Sequence, residues 1–249
     1  MLLTMQNIRL LLEYDGSRYR GWKAGKKEET STICGKLTEV LRRMTDEDVV
    51  LTCGANTESG VHAKGQVAQF KTNSTLSVEE MKTYLNQYLP LDIAILQVEK
   101  AQERFHAELN SHWITYEYEM QIGEVEDVFQ RKYVDFRTKE PNVEAMEQMA
   151  EKLLGVHDFQ NFSAGRTKKS TVRELSSIKI QKQGERLKIR MIGNGFLKQM
   201  PQKIISLLLD VGYGTGGWTD GEELFEGKKQ ISVKCVEKAL FLTNVDYDL

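Results

Sequence analysis

The sequence predicts an α+β fold, because helical and strand periodicities occupy separate segments of one chain. A first amphipathic helix is indicated by apolar residues at three- and four-residue spacing, namely Ile33, Leu37, Val40, Leu41 and Met44. From Leu175 to Met191 apolar and polar residues alternate with period two, and Gln183-Gly184 interrupts the alternation. That pattern predicts an antiparallel hairpin with its turn at Gly184.

Further helices follow from local signals. Ser77-Val-Glu-Glu80 is typical of a capping box, which predicts a helix through Met81, Leu85 and Tyr88. A third helix is predicted from Val143 to Leu153 and is expected to end at Gly155. A fourth is expected to run to Leu209 and to contain Pro201, which would cost about 3 kcal/mol in a helix interior unless it falls near the first turn or the helix kinks.

Composition limits the class of protein. The chain has 249 residues, enough for one large domain or two fused halves, and its net charge is −2. With a pI near 6.2 it has no global attraction for nucleic acid. No apolar run reaches the length of a membrane span, and the N-terminus lacks the signals of a secretory leader, so we expect a cytoplasmic location.

The cysteines and histidines indicate neither a disulfide framework nor a metal site. Cys34, Cys53 and Cys235 are odd in number and widely spaced, so we expect reduced, buried thiols. The four histidines lack metal-ligand spacing, namely His62, His106, His112 and His157. We therefore expect no bound metal.

The segment from Cys53 to Gln66 carries the most information. Gly54, Gly60 and Gly65 predict a tight loop between two apolar runs, and the loop carries Glu58 close to His62. One carboxylate and one histidine at this spacing occur more often in a solvated surface loop than in an active site.

The segment nevertheless resembles the Gly-Arg-Thr-Asp-Ala-Gly-Val-His-Ala signature of the TruA-type tRNA pseudouridine synthases. Further segments resemble this family in the same order along the chain: residues 12–22, residues 89–93 with Phe105-His-Ala107, Thr115-Tyr-Glu-Tyr118 and Asn194–Met200. Several motifs in the correct order are far more specific than one motif alone.

The resemblance implies a pseudouridine synthase fold of two similar α+β halves, whose antiparallel sheets join around a central cleft. Gly123 to Arg131 is the expected join, which gives an N-terminal half of residues 1–122 and a C-terminal half of residues 123–249. The family also implies a homodimer that acts on tRNA without a metal or an organic cofactor.

The resemblance also implies a chemistry. In the family a loop aspartate acts on a uridine flipped out of the RNA, the glycosidic bond is broken, and the base is rejoined through carbon. Tyr116 matches the active-site tyrosine and suits stacking on the base. Taken without the resemblance, Tyr116 is more simply an aromatic residue packed in a sheet.

The sequence departs from the family at charged positions. Glu58 takes the place of the catalytic aspartate, and Asn56 that of the arginine two residues before it. Met200-Pro-Gln202 replaces Met-Val-Arg, so the arginine expected beside the carboxylate is the neutral Gln202, and Pro201 is expected to alter the local geometry. Cations are also lost at Glu108, Ile114 and Glu117. We expect weak or lost activity; a compensated, working glutamate site is the alternative.

The candidate residues divide into three groups. Glu58 is the candidate catalytic residue, and the substrate-binding candidates are Tyr116, Asn56, His62, Gln202 and Leu240. The RNA-binding candidates lie in two basic clusters that could equally be solvated loops, namely Arg18 and Lys23, and Arg166, Lys168, Lys169 and Arg173.

Three functions remain open from the sequence. The chain could be an active uridine isomerase that modifies the anticodon arm of tRNA, a non-catalytic tRNA-binding protein, or a dimeric scaffold without a role in RNA. The sequence alone does not choose among them.

Overall fold

The structure, a computed structural model, describes residues 5–23, 30–165, 169–217, 222–226, 231–234 and 237–247. The chain forms two compact units, one of Met1–His112 with Leu242–Leu249 and the other of Trp113–Phe241. The units divide between His112 and Trp113, because residues from Ile114 onward form a ladder with a later strand of the second unit. The two halves that the resemblance implies, joined near Gly123, stay a prediction.

The described residues of the first unit form four adjacent strands of a β-sheet, a short additional strand and two α-helices. Its elements are β1 (Gln6–Tyr14), α1 (Ile33–Thr45), β2 (Thr52–Cys53), β3 (His62–Thr72), α2 (Val78–Tyr88), β4 (Ile93–Lys100) and most of β10 (Leu240–Tyr247). The strand order is β4-β1-β3-β10, and β2 pairs with β3. Helix α2 packs on β4 and on α1.

The strand β1 sets the position of the loop that carries Glu58. Ile8, Leu10 and Leu12 point into the core with no exposed surface, and Tyr14 follows on the same face. This is the period-two alternation of a strand with one buried face. Because Tyr14 pairs with Ala63 of β3, the end of β1 is brought to the start of β3, where the loop ends.

The second unit has a similar composition of elements. They are β5 (Ser111–Ile122), β6 (Asp135–Arg137), α3 (Val143–Lys152), β7 (Gly155–Asp158), β8 (Val172–Gln183), β9 (Arg186–Gly193), α4 (Met200–Gly212) and α5 (Glu222–Phe225). The strand order is β5-β9-β8-β7, and β6 pairs with β5 in parallel. Helix α3 packs against α4 and β8.

The α+β class, the first two helices and the hairpin are confirmed. The turn between β8 and β9 has Gly184 at φ 58°, a conformation that favours glycine. Two local expectations are wrong. Gly155 does not cap α3 but begins β7, and residues 62–65 belong to β3 rather than to the loop, because β3 extends its ladder with β1 to Ala63.

None of the helices in the described ranges combines the length and the apolar character that a membrane crossing needs. Cys34 and Cys53 are reduced, buried thiols, as expected, whereas Cys235 lies outside the described residues.

The capping box of α2 provides a stability test. Glu80 N donates to Ser77 Oγ at 3.2 Å, and Ser77 N donates to Glu80 Oε2 at 2.8 Å. Ser77→Ala should lower the free energy of unfolding by about 1 kcal/mol, because one backbone donor of the first turn loses its acceptor. Thr83→Ala, an exposed change within the same helix, is the control and should be neutral. Equal losses in urea denaturation of the two variants would contradict the capping role.

Candidate active site

The loop between β2 and β3 presents neighbouring residues in different directions. Thr57 is buried with 4% of its surface exposed, whereas Asn56 is exposed and Glu58 is half-buried. The backbone turns tightly after Glu58, because Val61 N donates to Glu58 O at 3.2 Å. Glu58 therefore begins a short turn, and the residue before it is anchored in the core.

The chain that follows β1 holds this loop through its backbone. Trp22 N donates to Thr57 O at 3.0 Å, and Gly60 N donates to Tyr19 O at 3.3 Å. Ser59 Oγ donates to the same Tyr19 carbonyl at 3.3 Å. The residues on both sides of Glu58 are thus fixed to the same neighbouring segment.

Two glycines allow the segments to approach so closely. A Cβ on Gly21 would lie 2.3 Å from Thr57 O, and a Cβ on Gly16 would lie 2.0 Å from Val61 O. Gly21 also has φ 85°, in the left-handed region. Any side chain at either position would push backbone away from the Glu58 loop.

His62 lies beneath the loop and is 1% exposed. Gly16 N donates to His62 Nδ1 at 3.0 Å, and Asp15 Oδ1 lies 3.2 Å from the same nitrogen. A nitrogen that accepts a hydrogen bond has no proton to give, so we assign a neutral imidazole rather than an ion pair. In this structure His62 supports the turn at residues 15–16 and is not open to solvent.

The first basic cluster is largely engaged within its own unit. Arg18 donates through Nε and Nη2 to Asp92 Oδ2, and this pairing raises the pKa of Arg18. Tyr19 OH donates to the other oxygen of Asp92. Lys23 is exposed, with Nζ 3.3 Å from Leu51 O. Arg18 is therefore charge-compensated, which weakens its candidacy as a phosphate contact.

In the second unit Tyr116 is a buried strand residue. It lies opposite Met191 in the β5–β9 ladder, is 3% exposed, and packs edge-on against Phe196 with ring centroids 5.1 Å apart. Leu240 is also buried, with 1% exposed. Phe196 covers the tyrosine ring, so a base could stack on Tyr116 only after this ring moves.

Helix α4 begins with an unusual arrangement of buried polar residues. Gln199 is its N-cap at φ 60° with no side-chain capping bond, and Pro201 lies in the first turn. Proline is tolerated there because the first-turn N–H groups have no partner within the helix. The expected disturbance by Pro201 of a helix interior therefore does not arise, and the helix continues to Gly212.

Gln202 is 2% exposed, and its Oε1 atom is buried without a hydrogen-bond partner among the described residues. An unsatisfied buried carbonyl costs about 1–3 kcal/mol. This atom lies where the resemblance expects an arginine, so the position retains its burial but supplies no charge.

Lys203 is the nearest alternative cation on α4, but its ammonium is committed elsewhere. Nζ donates to Asn161 O at 2.9 Å and to Ser163 O at 3.0 Å, and burial lowers its pKa. Lys198, the other candidate, is exposed. Lys203 therefore fastens the 161–163 segment to α4.

In the second basic cluster, Arg173 is half-buried and burial lowers its pKa. Its Nη1 donates to the carbonyls of Ser170 and Val172, at 3.0 and 2.7 Å. Across the described ranges no carboxylate is hydrogen-bonded to this guanidinium. Lys169 is exposed, and Arg166 and Lys168 lie outside the described residues.

The described residues contain no group of three or more His, Cys, Asp or Glu side chains able to hold a metal ion. Sequence reasoning missed Tyr14, Thr57 and Gln66, which form a buried hydrogen-bonded group under the loop. The available signal was Gln66, a polar residue at a position of β3 that continues into a buried apolar run.

Comparison with known proteins supplies the family. The model of the tRNA pseudouridine synthase family matches residues 11–110 and 149–248. The chain belongs to the tRNA pseudouridine synthase family. It is 38% identical to tRNA pseudouridine synthase A 2 of a Bacillus cereus strain over 246 residues, covering 98% of this chain and all of the relative.

Other members of the family are similarly close. The chain is 39% identical to tRNA pseudouridine synthase A 2 of Clostridium perfringens, over 84% of this chain and 86% of that protein. It is 37% identical to tRNA pseudouridine synthase A 1 of Clostridium tetani, over 98% of this chain and all of that protein. The match extends over both units, so both have counterparts in this family.

The close approach at Gly21 can be tested with a matched glycine. Gly21→Ala should lower the free energy of unfolding by about 2–4 kcal/mol, because it combines a positive φ with a backbone clash. Gly184→Ala also has a positive φ but nothing within 4 Å of the added Cβ, so it should lose only about 1 kcal/mol. Equal losses of unfolding free energy in the two variants, measured by urea denaturation, would contradict the close contact between Gly21 and the Thr57 carbonyl.

The buried amide of Gln202 predicts an unusual response to an apolar substitution. Gln202→Met should leave the free energy of unfolding unchanged or raise it by about 1 kcal/mol, because it removes an acceptor that has no donor. Gln66→Met is the matched control and should lose about 1–3 kcal/mol, because both polar atoms of Gln66 are hydrogen-bonded. A comparable loss of unfolding free energy in Gln202→Met and Gln66→Met would contradict the assignment of Gln202 Oε1 as an acceptor without a donor.

Proposed function

We propose that the protein is a pseudouridine synthase for a uridine in the anticodon arm of tRNA, with Glu58 as its essential carboxylate and with reduced activity. The observation that carries the proposal is the way in which the loop is held. Trp22 N, in the chain after β1, donates to Thr57 O, and Gly60 N donates to Tyr19 O in the same segment. The half-buried Glu58 lies between Thr57 and Gly60. A carboxylate held by fixed backbone on both sides is suited to attack or proton abstraction.

The length of Glu58 argues for a slow reaction. Glutamate extends its carboxylate roughly 1.5 Å further than aspartate, about the length of one carbon–carbon bond. At Gly16 and Gly21 the chain after β1 lies so close to the loop that the loop backbone cannot shift toward it. A misplacement of about 1 Å can cost on the order of a hundredfold in rate.

The missing cation argues in the same direction. Gln202 is neutral, and Lys203 Nζ is bound to two carbonyl oxygens. An arginine would lower the pKa of a neighbouring carboxyl and orient it through a bidentate fork. Gln202 supplies neither of these effects.

Arg173 is a candidate among the described residues for contact with tRNA phosphate. Its guanidinium donates through Nη1 to neutral carbonyls, and no carboxylate among the described residues compensates its charge. Phosphate neutralisation supplies much of the affinity for nucleic acid, and it makes binding depend on salt. We further propose that Lys169, Arg166 and Lys168 extend this contact, and that the protein is a cytoplasmic homodimer without a cofactor.

The test is a pseudouridine assay with unmodified tRNA, read by tritium release or mass spectrometry. The wild-type protein should convert uridine slowly, and Glu58→Ala should abolish conversion. Glu58→Asp combined with Gln202→Arg should accelerate conversion on the order of tenfold to a hundredfold, because carboxylate position and partner charge are restored together. Gln202→Arg alone should destabilise the protein, because it buries a charge that is poorly paired.

Binding of tRNA by filter retention separates the remaining functions. No conversion by the wild type with retained binding would overturn the enzymatic proposal and leave a non-catalytic tRNA-binding protein. The loss of both would leave a scaffold. Light scattering of the purified protein tests the homodimer in the same preparation.

A further inference from the structure

A buried hydrogen-bonded group lies directly under the Glu58 loop. Gln66 has no exposed surface, and Tyr14 is 4% exposed. Gln66 Nε2 donates to Ala55 O at 2.7 Å and to Tyr14 OH at 3.4 Å. Gln66 Oε1 accepts from Val67 N at 3.1 Å and from Ala55 N at 3.4 Å. One side-chain amide thus binds both backbone groups of Ala55.

Tyr14 continues the group to Thr57. Its hydroxyl lies 2.7 Å from Thr57 Oγ1, and it accepts from Gln66, so its own proton is available for Thr57. Burial raises the pKa of Tyr14, which keeps the hydroxyl protonated and able to donate. Ala55 and Thr57 are therefore both tied to one buried amide, the first directly and the second through the tyrosine.

We propose that Gln66 and Tyr14 are positioning residues for the isomerisation, which hold Ala55 and Thr57 so that Glu58 is kept at the place where it acts. This inference rests on the proposed function. The geometry favours it because Ala55 is held through both of its backbone groups and Thr57 through its buried side chain. Glu58 follows Thr57 directly, so the buried anchoring of the Thr57 side chain limits how far the backbone at Glu58 can move.

The test uses variants that remove single polar atoms or groups. Tyr14→Phe removes one hydroxyl, and Gln66→Met replaces the amide with an apolar chain of similar length. Both should lower the single-turnover rate constant on the order of tenfold to a hundredfold, with the dissociation constant for tRNA unchanged. Tyr213→Phe is the matched control in the other unit, because its hydroxyl donates to Lys139 O at 2.9 Å, and its rate constant should be unchanged.

Two substitutions of Thr57 distinguish a positioning role of its hydroxyl from a role in packing. Thr57→Val removes the hydroxyl and retains the shape, whereas Thr57→Ser retains the hydroxyl. The serine variant should keep a rate constant near that of the wild type, and the valine variant should lose rate as Tyr14→Phe does. Equal rates for serine and valine, or wild-type rates for Tyr14→Phe and Gln66→Met, would overturn the inference.

If the wild-type protein shows no turnover, the proposed enzymatic function is wrong, and hydrogen exchange then tests by itself whether Gln66 and Tyr14 fix the loop. Exchange of the peptide that covers residues 54–61 is measured by mass spectrometry on the free protein. Faster exchange in Tyr14→Phe and Gln66→Met, but not in Tyr213→Phe, would support the role of the pair in fixing the loop. Unchanged exchange in Tyr14→Phe would overturn it.

Discussion

The close approach of two backbone segments in the first unit is the constraint on which the candidate site depends. The chain after β1 lies so near the Glu58 loop that Gly16 and Gly21 cannot carry a Cβ without displacing Val61 or Thr57. Backbone hydrogen bonds across this contact specify position more tightly than exposed side-chain contacts, because they leave no rotamer freedom. The loop is therefore held in place through its backbone rather than through its exposed side chains.

Three segments that resemble the family are far apart in sequence yet converge on this contact. Asp92, in the Leu89–Ile93 segment, accepts from Arg18 and from the Tyr19 hydroxyl, and its carbonyl accepts from Asp15 N at 2.9 Å. Tyr19 in turn accepts from the Glu58 loop through its own carbonyl. These polar residues thus support the loop from within its own unit.

In the second unit, helix α4 has a buried apolar side and a proline that its first turn accommodates. Its Gln202 has a carbonyl oxygen without a hydrogen-bond partner among the described residues. Lys203 is charged and close in sequence, but it binds the carbonyls of residues 161 and 163. A buried ammonium bound to two carbonyl oxygens is expensive to move, so it cannot replace a neighbouring guanidinium without rearrangement of that segment.

The sequence by itself determined the α+β class, the capped helix α2, the hairpin at Gly184 and the family, because each follows from local periodicity or from motifs in a fixed order. It also predicted departures from the family signature, in side-chain length at Glu58 and in charge at Gln202. Only the tertiary structure decided that Pro201 is harmless, that Gly155 begins a strand, that Arg18 is paired with Asp92, and that Gln66 and Tyr14 lie under the loop. The physical reason is that burial and hydrogen-bond partners are set by residues distant along the chain, which neither propensity nor spacing can specify.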